Sequence, residues 1–159
     1  MSDDATLILN SSLGAELGSD EAEKLGSLMS SRELADGDFL ITEGTVDNTL
    51  NVLVEGKLEV IRHAGADETA SLAVLREGDL VGELSFLDGE PHTVGLRALT
   101  ACRILSLPRE QFETIIDSDP QLVYKVMRAV ARAAHRTMHR MNTDFIELSN
   151  YIFKQHGRY

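Results

Sequence analysis

The sequence is nearly without cysteine, since Cys102 is the only one among 159 residues. One cysteine excludes an internal disulfide, a zinc site built from cysteines and an iron–sulfur cluster held by this chain alone. Cys102 begins the alternating apolar run Cys-Arg-Ile-Leu-Ser-Leu, which is typical of a strand with one face in the core. We therefore predict that its thiol is buried and unreactive.

Long apolar segments are also missing. None of the apolar runs approaches the length of about 18 residues that a membrane-spanning helix needs. The N-terminal Met-Ser-Asp-Asp has neither the basic residues nor the apolar segment of a secretory signal. We therefore expect a cytoplasmic protein without a membrane partner. Its hydrophobic content of 43% suffices for one well-buried core.

A pair of closely spaced histidines in the β part of the sequence is the third absence. A metal-dependent jelly-roll enzyme of the cupin kind needs two or three histidines and a carboxylate on facing strands. Only His63 and His92 fall in the part of the sequence that resembles strands, and they do not form a close pair. We predict no catalytic residue, no metal site and no required cofactor, and hence that the protein is not an enzyme.

Acidic residues are plentiful but unevenly distributed. The net charge is −11, whereas residues 125–159 hold seven Lys and Arg against two acidic residues, so the first 124 residues carry −16. A body of this charge repels nucleic acid and anionic membranes. We expect no direct DNA binding by this chain.

Four arginines follow one another at steps of four residues near the C-terminus: Arg128, Arg132, Arg136 and Arg140. Like charges at this spacing on a helix repel each other by a few tenths of a kcal/mol per pair, roughly. Two explanations remain open. The charge is offset either by solvent and the acidic body of the protein, or by an acidic ligand or partner.

Glycine-centred turns divide the middle of the sequence into short apolar runs, spaced by roughly eight to twelve residues as in an all-β sandwich or barrel. The runs lie at 39–41, 50–54, 58–61, 70–75, 79–81, 94–98 and 103–107, and the glycines between them are Gly37, Gly44, Gly56, Gly65, Gly78 and Gly89. We predict a mainly β fold with helices on both sides.

Three helices flank the β region. Asp20 with Glu23 predicts a capped helix to about Met29. A short helix is expected at 109–116, and Asp119-Pro120 is a typical start for a long helix that runs to at least Met141. We divide the chain into an extension (1–18), a β domain with its short helices (19–118), and a long helix with a tail (119–159).

The long helix carries an apolar heptad pattern. Its members are Val123, Met127, Val130, Ala134, Thr137, Met141, Asp144 and Leu148. The pattern predicts a homodimer through residues 119–148, because the helix is longer than the β body could cover. The alternative is that the same residues pack onto the β body of their own chain.

One stretch, Val-Gly-Glu-Leu-Ser-Phe-Leu-Asp-Gly-Glu-Pro-His-Thr-Val at 81–94, suggests an anion site. Glycine before a short helix exposes backbone N–H groups at the positive end of the helix dipole. A permanent cation usually lies beside such a cradle. Here the nearest candidate is His92, which is at most partly charged near neutral pH.

The ordered set of these segments, at 38–61, 77–98 and 100–116 before a long helix, resembles the cyclic-nucleotide-binding domain of the catabolite activator protein (Crp/Fnr) family. The resemblance implies a β jelly-roll with a long C-terminal dimerisation helix. It also implies that Gly82, Glu83, Leu84 and Ser85 form a phosphate-binding cassette. In that cassette, Glu83 would accept a hydrogen bond from the ribose 2′-hydroxyl.

The sequence departs from the family at three places. The cassette of the family ends with an arginine, a small hydroxyl residue and alanine, whereas this chain has His92, Thr93 and Val94. Two adjacent hydroxyl residues on the family's long helix are matched by Thr137 and Met138, so one hydroxyl is missing. The helix-turn-helix domain of the family's transcription activators is also missing from these 159 residues.

Two functions are therefore open. The first is a stand-alone sensor that binds a small anionic ligand, such as cAMP or cGMP, through Gly82–Ser85, His92, Thr93 and Thr137, and signals through its dimeric helix. Binding should be weak and should strengthen in acid, when His92 is protonated. The second is a degenerate, ligand-free module that recognises an unidentified protein partner.

Overall fold

Two antiparallel sheets of four strands each form the body of the protein. The computed structural model describes residues 1–65 and 68–156, without the side chains of 140–145, 148 and 153–156. The strands are β1 (Ser30–Leu34), β2 (Phe39–Ile41), β3 (Thr49–Glu55), β4 (Leu58–His63), β5 (Thr69–Leu75), β6 (Leu80–Val81), β7 (Gly95–Ala98) and β8 (Cys102–Pro108). The strand order is β1-β8-β3-β6 in the first sheet and β2-β7-β4-β5 in the second, and this arrangement is the predicted jelly-roll.

The centre of the first sheet, formed by β3 and β8, is buried on both faces, which explains why β3 has a nearly continuous apolar sequence. Leu50, Val52 and Val54 belong to a core beneath the helices, with Leu105 and Leu107 of β8. The residues between them face the other sheet. There Leu53 and Ile104 pack with apolar residues of the second sheet, namely Ile41, Leu58 and Leu96. The protein thus has three layers: helices, first sheet and second sheet.

The helices cover the outer face of the first sheet. They are α1 (Asp3–Leu9), a 3-10 turn (Ser12–Gly14), α2 (Ser19–Leu28), α3 (Glu83–Asp88), α4 (Arg109–Glu113) and α5 (Pro120–His156). Residues 1–18, which the sequence analysis separates as an extension, are part of this layer, because Ala5, Ile8 and Leu13 are buried in the core.

Two local features differ from the sequence prediction. Helix α2 starts after Gly18, whose backbone N–H donates to Glu21 Oε1 at 3.1 Å, so the predicted cap at Asp20 is wrong. Strand β1 was not foreseen, because only Leu34 of its five residues is buried. The strand exists through its pairing with β8, from Ser30 opposite Ser106 to Leu34 opposite Cys102.

Helix α5 packs against its own chain over its first four turns. The buried residues are Leu122, Val126, Ala129, Val130 and Ala133. Val130 is fully buried in this core, so at this position the structure shows the alternative, packing onto the chain's own body, while the dimer through residues 119–148 stays a prediction. Val123 and Met127 pack against the same core while partly exposed. The side chains of Met141, Asp144 and Leu148 lie outside the described residues.

The sequence also predicts a buried Cys102 thiol and no membrane-spanning helix. Cys102 is buried and its Sγ donates to the backbone carbonyl of Lys57 at 3.2 Å, which confirms a buried thiol. Within the described residues, no helix combines the length and the apolar character that a bilayer crossing demands.

The packing of α5 predicts how a truncation at its centre behaves. Val130→Ala removes two buried methyl groups and should lower the free energy of unfolding by about 2 kcal/mol. Because the contacts lie within one chain, the loss should be the same at all protein concentrations in urea unfolding. Ala131→Ser, on the exposed side of the same turn, should change stability by less than about 0.5 kcal/mol. A loss that shrinks as the protein is concentrated would instead support a dimer seam at Val130.

Candidate ligand-binding site

The cradle begins where β6 meets α3, and its first residue must be glycine. Gly82 has φ of 77°, a left-handed conformation that side chains rarely adopt. A Cβ atom there would also lie 3.0 Å from the carbonyl oxygen of Thr49 on β3. The chain therefore turns sharply into α3, and the N–H groups of the first helical turn have no acceptor within the helix.

Ser85 and Leu84 contribute differently to the cradle. The Ser85 side chain is buried, and its Oγ donates to the carbonyl of Glu90 at 2.9 Å. Its hydroxyl therefore stabilises the loop, so that only its backbone N–H is left to meet a ligand. The Leu84 side chain is 50% exposed and offers an apolar surface beside the cradle.

Glu83 faces the long helix. Its Oε1 lies 3.5 Å from Thr137 Oγ1 on α5, so the structure brings together two of the site residues predicted from the sequence. The Thr137 hydroxyl is also 3.1 Å from the carbonyl oxygen of Ala133, which makes that carbonyl its better acceptor. The two sides of the predicted pocket are thus α3 and α5.

The pKa of Glu83 is raised above its usual value, mainly because burial disfavours the charged form. Three weaker influences oppose this: the backbone N–H of Glu83, the Thr137 hydroxyl and the positive charge of Arg136. The negative charge of Asp79 adds to the rise in pKa. A hydroxyl donor from a ligand would stabilise this half-buried carboxylate, because a hydrogen bond to the charged form favours it.

His92 does not point at an open cradle. Its ring is buried, and Nε2 lies 3.0 Å from Oδ1 of Asp47 in the loop between β2 and β3. Its backbone is held by the same loop, with the N–H donating to Thr45 at 2.9 Å and the carbonyl accepting from Gly44 at 2.8 Å. His92 therefore clamps the end of the cassette to that loop.

Asp47 is a residue that the sequence analysis missed. It lies 45 residues from His92, and no local pattern connects two such positions. Its Oδ1 also accepts from the backbone N–H of Thr49 at 3.2 Å, so one carboxylate holds both the histidine and the start of β3. Thr93, the next predicted site residue, is exposed, and Val94 is partly buried.

Three arginines outside the cassette do not replace the missing cassette arginine, because each of them pairs with a glutamate of the body. Arg97 donates to Glu59 at 2.8 Å, which lowers the pKa of Glu59. Arg128 and Arg132 lie 3.5 and 2.9 Å from Glu16 Oε1, so the acidic body of the protein offsets these two members of the basic stripe. The described histidines, cysteine and carboxylates contain no group of three that could hold a metal ion.

A jelly-roll that carries a glycine-led turn of helix, with a half-buried glutamate facing a long terminal helix, is a regulatory domain of the type that binds cyclic nucleotides. The chain belongs to the cyclic nucleotide-binding domain family, whose model matches residues 31–119. No helix-turn-helix follows α5 within the part of the chain that the structure describes.

Similar proteins are regulators of transcription. The chain is 26% identical over 120 residues to a CRP-like cAMP-activated global transcriptional regulator of Mycobacterium tuberculosis, a match that covers 75% of this chain and 54% of that protein. The N-terminal domain of a transcriptional regulator from Streptomyces coelicolor A3(2) is 32% identical, with 85% of this chain and 94% of that chain covered and a TM-score of 0.72.

The Thermus thermophilus catabolite activator protein is 26% identical, with 87% and 63% of the two chains covered and a TM-score of 0.74. The chain spans about half the length of the curated relatives it matches, 54% and 55% of the regulators from Mycobacterium tuberculosis and Salmonella typhimurium.

The raised pKa of Glu83 predicts how its replacement changes stability with pH. Because the folded state binds the proton more tightly than the unfolded state, ionisation of Glu83 costs folding free energy as the pH rises through the folded pKa. Glu83→Gln removes this cost. It should match the wild-type protein near pH 4 and become more stable than the wild type toward pH 8, as measured by urea unfolding.

Glu59→Gln is a matched control, for which the stability relative to the wild type should change with pH in the opposite direction. The pKa of Glu59 is lowered by Arg97, so this carboxylate stabilises the fold above its unfolded pKa and loses that effect in acid. Glu59→Gln should therefore be less stable than the wild type at neutral pH and approach it in acid. If Glu83→Gln follows the same trend as Glu59→Gln, burial is not what governs the Glu83 carboxylate.

Proposed function

We propose that this chain is a regulatory module that binds a small anionic ligand, a cyclic nucleotide such as cAMP or cGMP, in the cradle of Gly82–Ser85. The observation that carries the proposal is the half-buried carboxylate of Glu83, 3.5 Å from Thr137 on α5. A carboxylate that is partly buried is costly unless its hydrogen bonds compensate for the lost water, and the raised pKa shows that the donors of the chain do so only in part. A ribose hydroxyl is the further donor that a nucleotide would supply.

Each part of the ligand has a counterpart in this proposal. The N–H groups of the first turn of α3 meet the cyclic phosphate, and Glu83 accepts from the ribose 2′-hydroxyl. Thr137 is the candidate to contact the base, and the exposed Leu84 offers the ligand an apolar contact beside the cradle. Thr93 supplies a hydroxyl and an N–H at the end of the cassette.

The signal in this proposal passes through α5. A ligand that donates a hydrogen bond to Glu83 changes the surroundings of Thr137. From Thr137 the helix continues to His156, beyond the buried stripe. We propose that residues 119–148 also mediate a homodimer in the cytoplasm, and that a protein partner receives the signal. The cAMP-activated relatives support a regulatory role.

The proposed affinity is low, because the cassette provides no permanent cation. The His92 ring is engaged with Asp47, so it can pair with a phosphate only if it leaves that carboxylate. Loss of a bidentate arginine–phosphate pair costs a few kcal/mol, or about two orders of magnitude in affinity.

A second candidate function is a ligand-free protein-interaction module. Two observations favour it: the His92 ring is occupied by Asp47, and the Ser85 hydroxyl is occupied by Glu90. The partner would bind the basic face of α5 or its end, where Tyr151 and Ile152 are exposed, while Phe153 lies outside the described side chains.

Restoring the arginine separates the two functions. His92→Arg should strengthen cAMP binding about 10-fold to 100-fold in titration calorimetry, because a guanidinium pairs with phosphate at any pH. His92→Ala is the matched control and should bind no more tightly than the wild type. If neither the wild type nor His92→Arg gives heat with cAMP or cGMP at pH 5.5 and 8, the ligand-free function is the correct one.

The sugar contact has its own test. In His92→Arg, 2′-deoxy-cAMP should bind about 10-fold or more weakly than cAMP, because Glu83 loses its hydroxyl donor. Glu83→Gln in the same background should remove most of this discrimination. Equal binding of the two ligands by His92→Arg would show that Glu83 does not read the ribose.

A further inference from the structure

The basic stripe of α5 turns toward the body of the protein as it proceeds. Residues four apart on an α-helix are offset by about 40° around its axis. Arg128 and Arg132 come first, and both lie near Glu16, which belongs to the N-terminal segment. The next step brings Arg136 closer to the buried stripe, three residues after the buried Ala133. The stripe therefore changes its surroundings between Arg132 and Arg136.

Arg136 is the residue immediately before Thr137, whose hydroxyl lies 3.5 Å from Glu83 Oε1. Its positive charge acts on Glu83, since it counters part of the effect of burial on the pKa of that carboxylate. Among the residues that the structure describes, no carboxylate lies within ion-pair distance of Arg136, unlike Arg128 and Arg132. Arg136 is thus an exposed cation next in sequence to Thr137, and within the described residues it has no ion-pair partner of its own.

We infer that Arg136 provides the permanent positive charge for an anion bound at Gly82–Ser85, the role that His92 does not fill while its ring is paired with Asp47. This inference rests on the proposed function. A guanidinium suits it, because it stays charged at any physiological pH and presents parallel N–H groups to a phosphate. Arg136 and Thr137 would then place the cation and the hydroxyl on the same turn of α5.

The position of this cation has a consequence for signalling. A cassette arginine attracts the phosphate to the β domain alone, whereas Arg136 attracts it to the helix. Binding of an anionic ligand would therefore tie α5 to α3 directly. A neutral nucleoside would meet Glu83 and Thr137 but gain nothing from Arg136.

The test compares charge-changing variants with a charged and a neutral probe. Titration calorimetry or competition binding would measure cAMP and adenosine with the wild type, Arg136→Gln, Arg136→Lys and Arg128→Gln. Arg128→Gln is the matched control, because it removes the same charge two turns earlier on the same helix. The salt dependence of cAMP affinity provides a second readout, since a contact between charges weakens with ionic strength.

Arg136→Gln should weaken cAMP binding about 10-fold or more and flatten its salt dependence, while adenosine affinity stays within about twofold. Arg136→Lys should retain most of the affinity, and Arg128→Gln should behave as the wild type does. If the wild type binds cAMP and Arg136→Gln binds it equally well with the same salt dependence, the inference is wrong while the proposed function stands. An equal loss for cAMP and adenosine would also overturn it. If the wild type and Arg136→Lys bind no cyclic nucleotide at all, the proposed function falls, and this inference with it.

Discussion

The pairing of β3 with β8 is the interaction on which the rest of the structure depends. Both strands are buried on both faces, so their side chains alternate between the core under the helices and the core between the sheets. The cradle is attached to this pair. The Thr49 carbonyl on β3 leaves little room for a side chain at position 82, and Asp47, just before β3, holds both Thr49 and His92. The position of the cassette is therefore set by the first residues of one central strand.

Helix α5 is joined to the same body in two different ways. Its first four turns are held by apolar packing, supplemented by ion pairs of Lys125 with Glu21 at 2.7 Å and of Lys24 with Asp119 at 2.8 Å. At Thr137 the described contact with the body is polar and long, with 3.5 Å between Thr137 Oγ1 and Glu83 Oε1. A ligand at Glu83 would thus act where the buried apolar stripe of the helix ends.

Much of the fold could be predicted because it rests on local signals. Turn glycines and short apolar runs define seven of the strands, and Gly82 followed by a short helix defines the cradle. Features set by contacts between distant segments could not be predicted. Strand β1 has no apolar alternation and exists through β8, and the pair of Asp47 with His92 joins residues 45 apart. The dimer pattern was ambiguous for a different reason: over four turns the heptad seam lies beside the face that packs on the chain's own body, so Val130 belongs to both, and Val123 and Met127 also touch the core.

The missing cassette arginine has different consequences for ligand affinity and for coupling to α5. A ligand can shift the position of α5 only by as much as it binds one arrangement of the helix better than another. A cation within the cassette increases affinity for both arrangements and so adds little to this difference. A cation on the helix, next to Thr137, contributes only when α5 lies over the cradle. If Arg136 holds the anion as we propose, weak overall binding and strong coupling to the helix are compatible, because the charge then acts only in the arrangement in which α5 lies over the cradle.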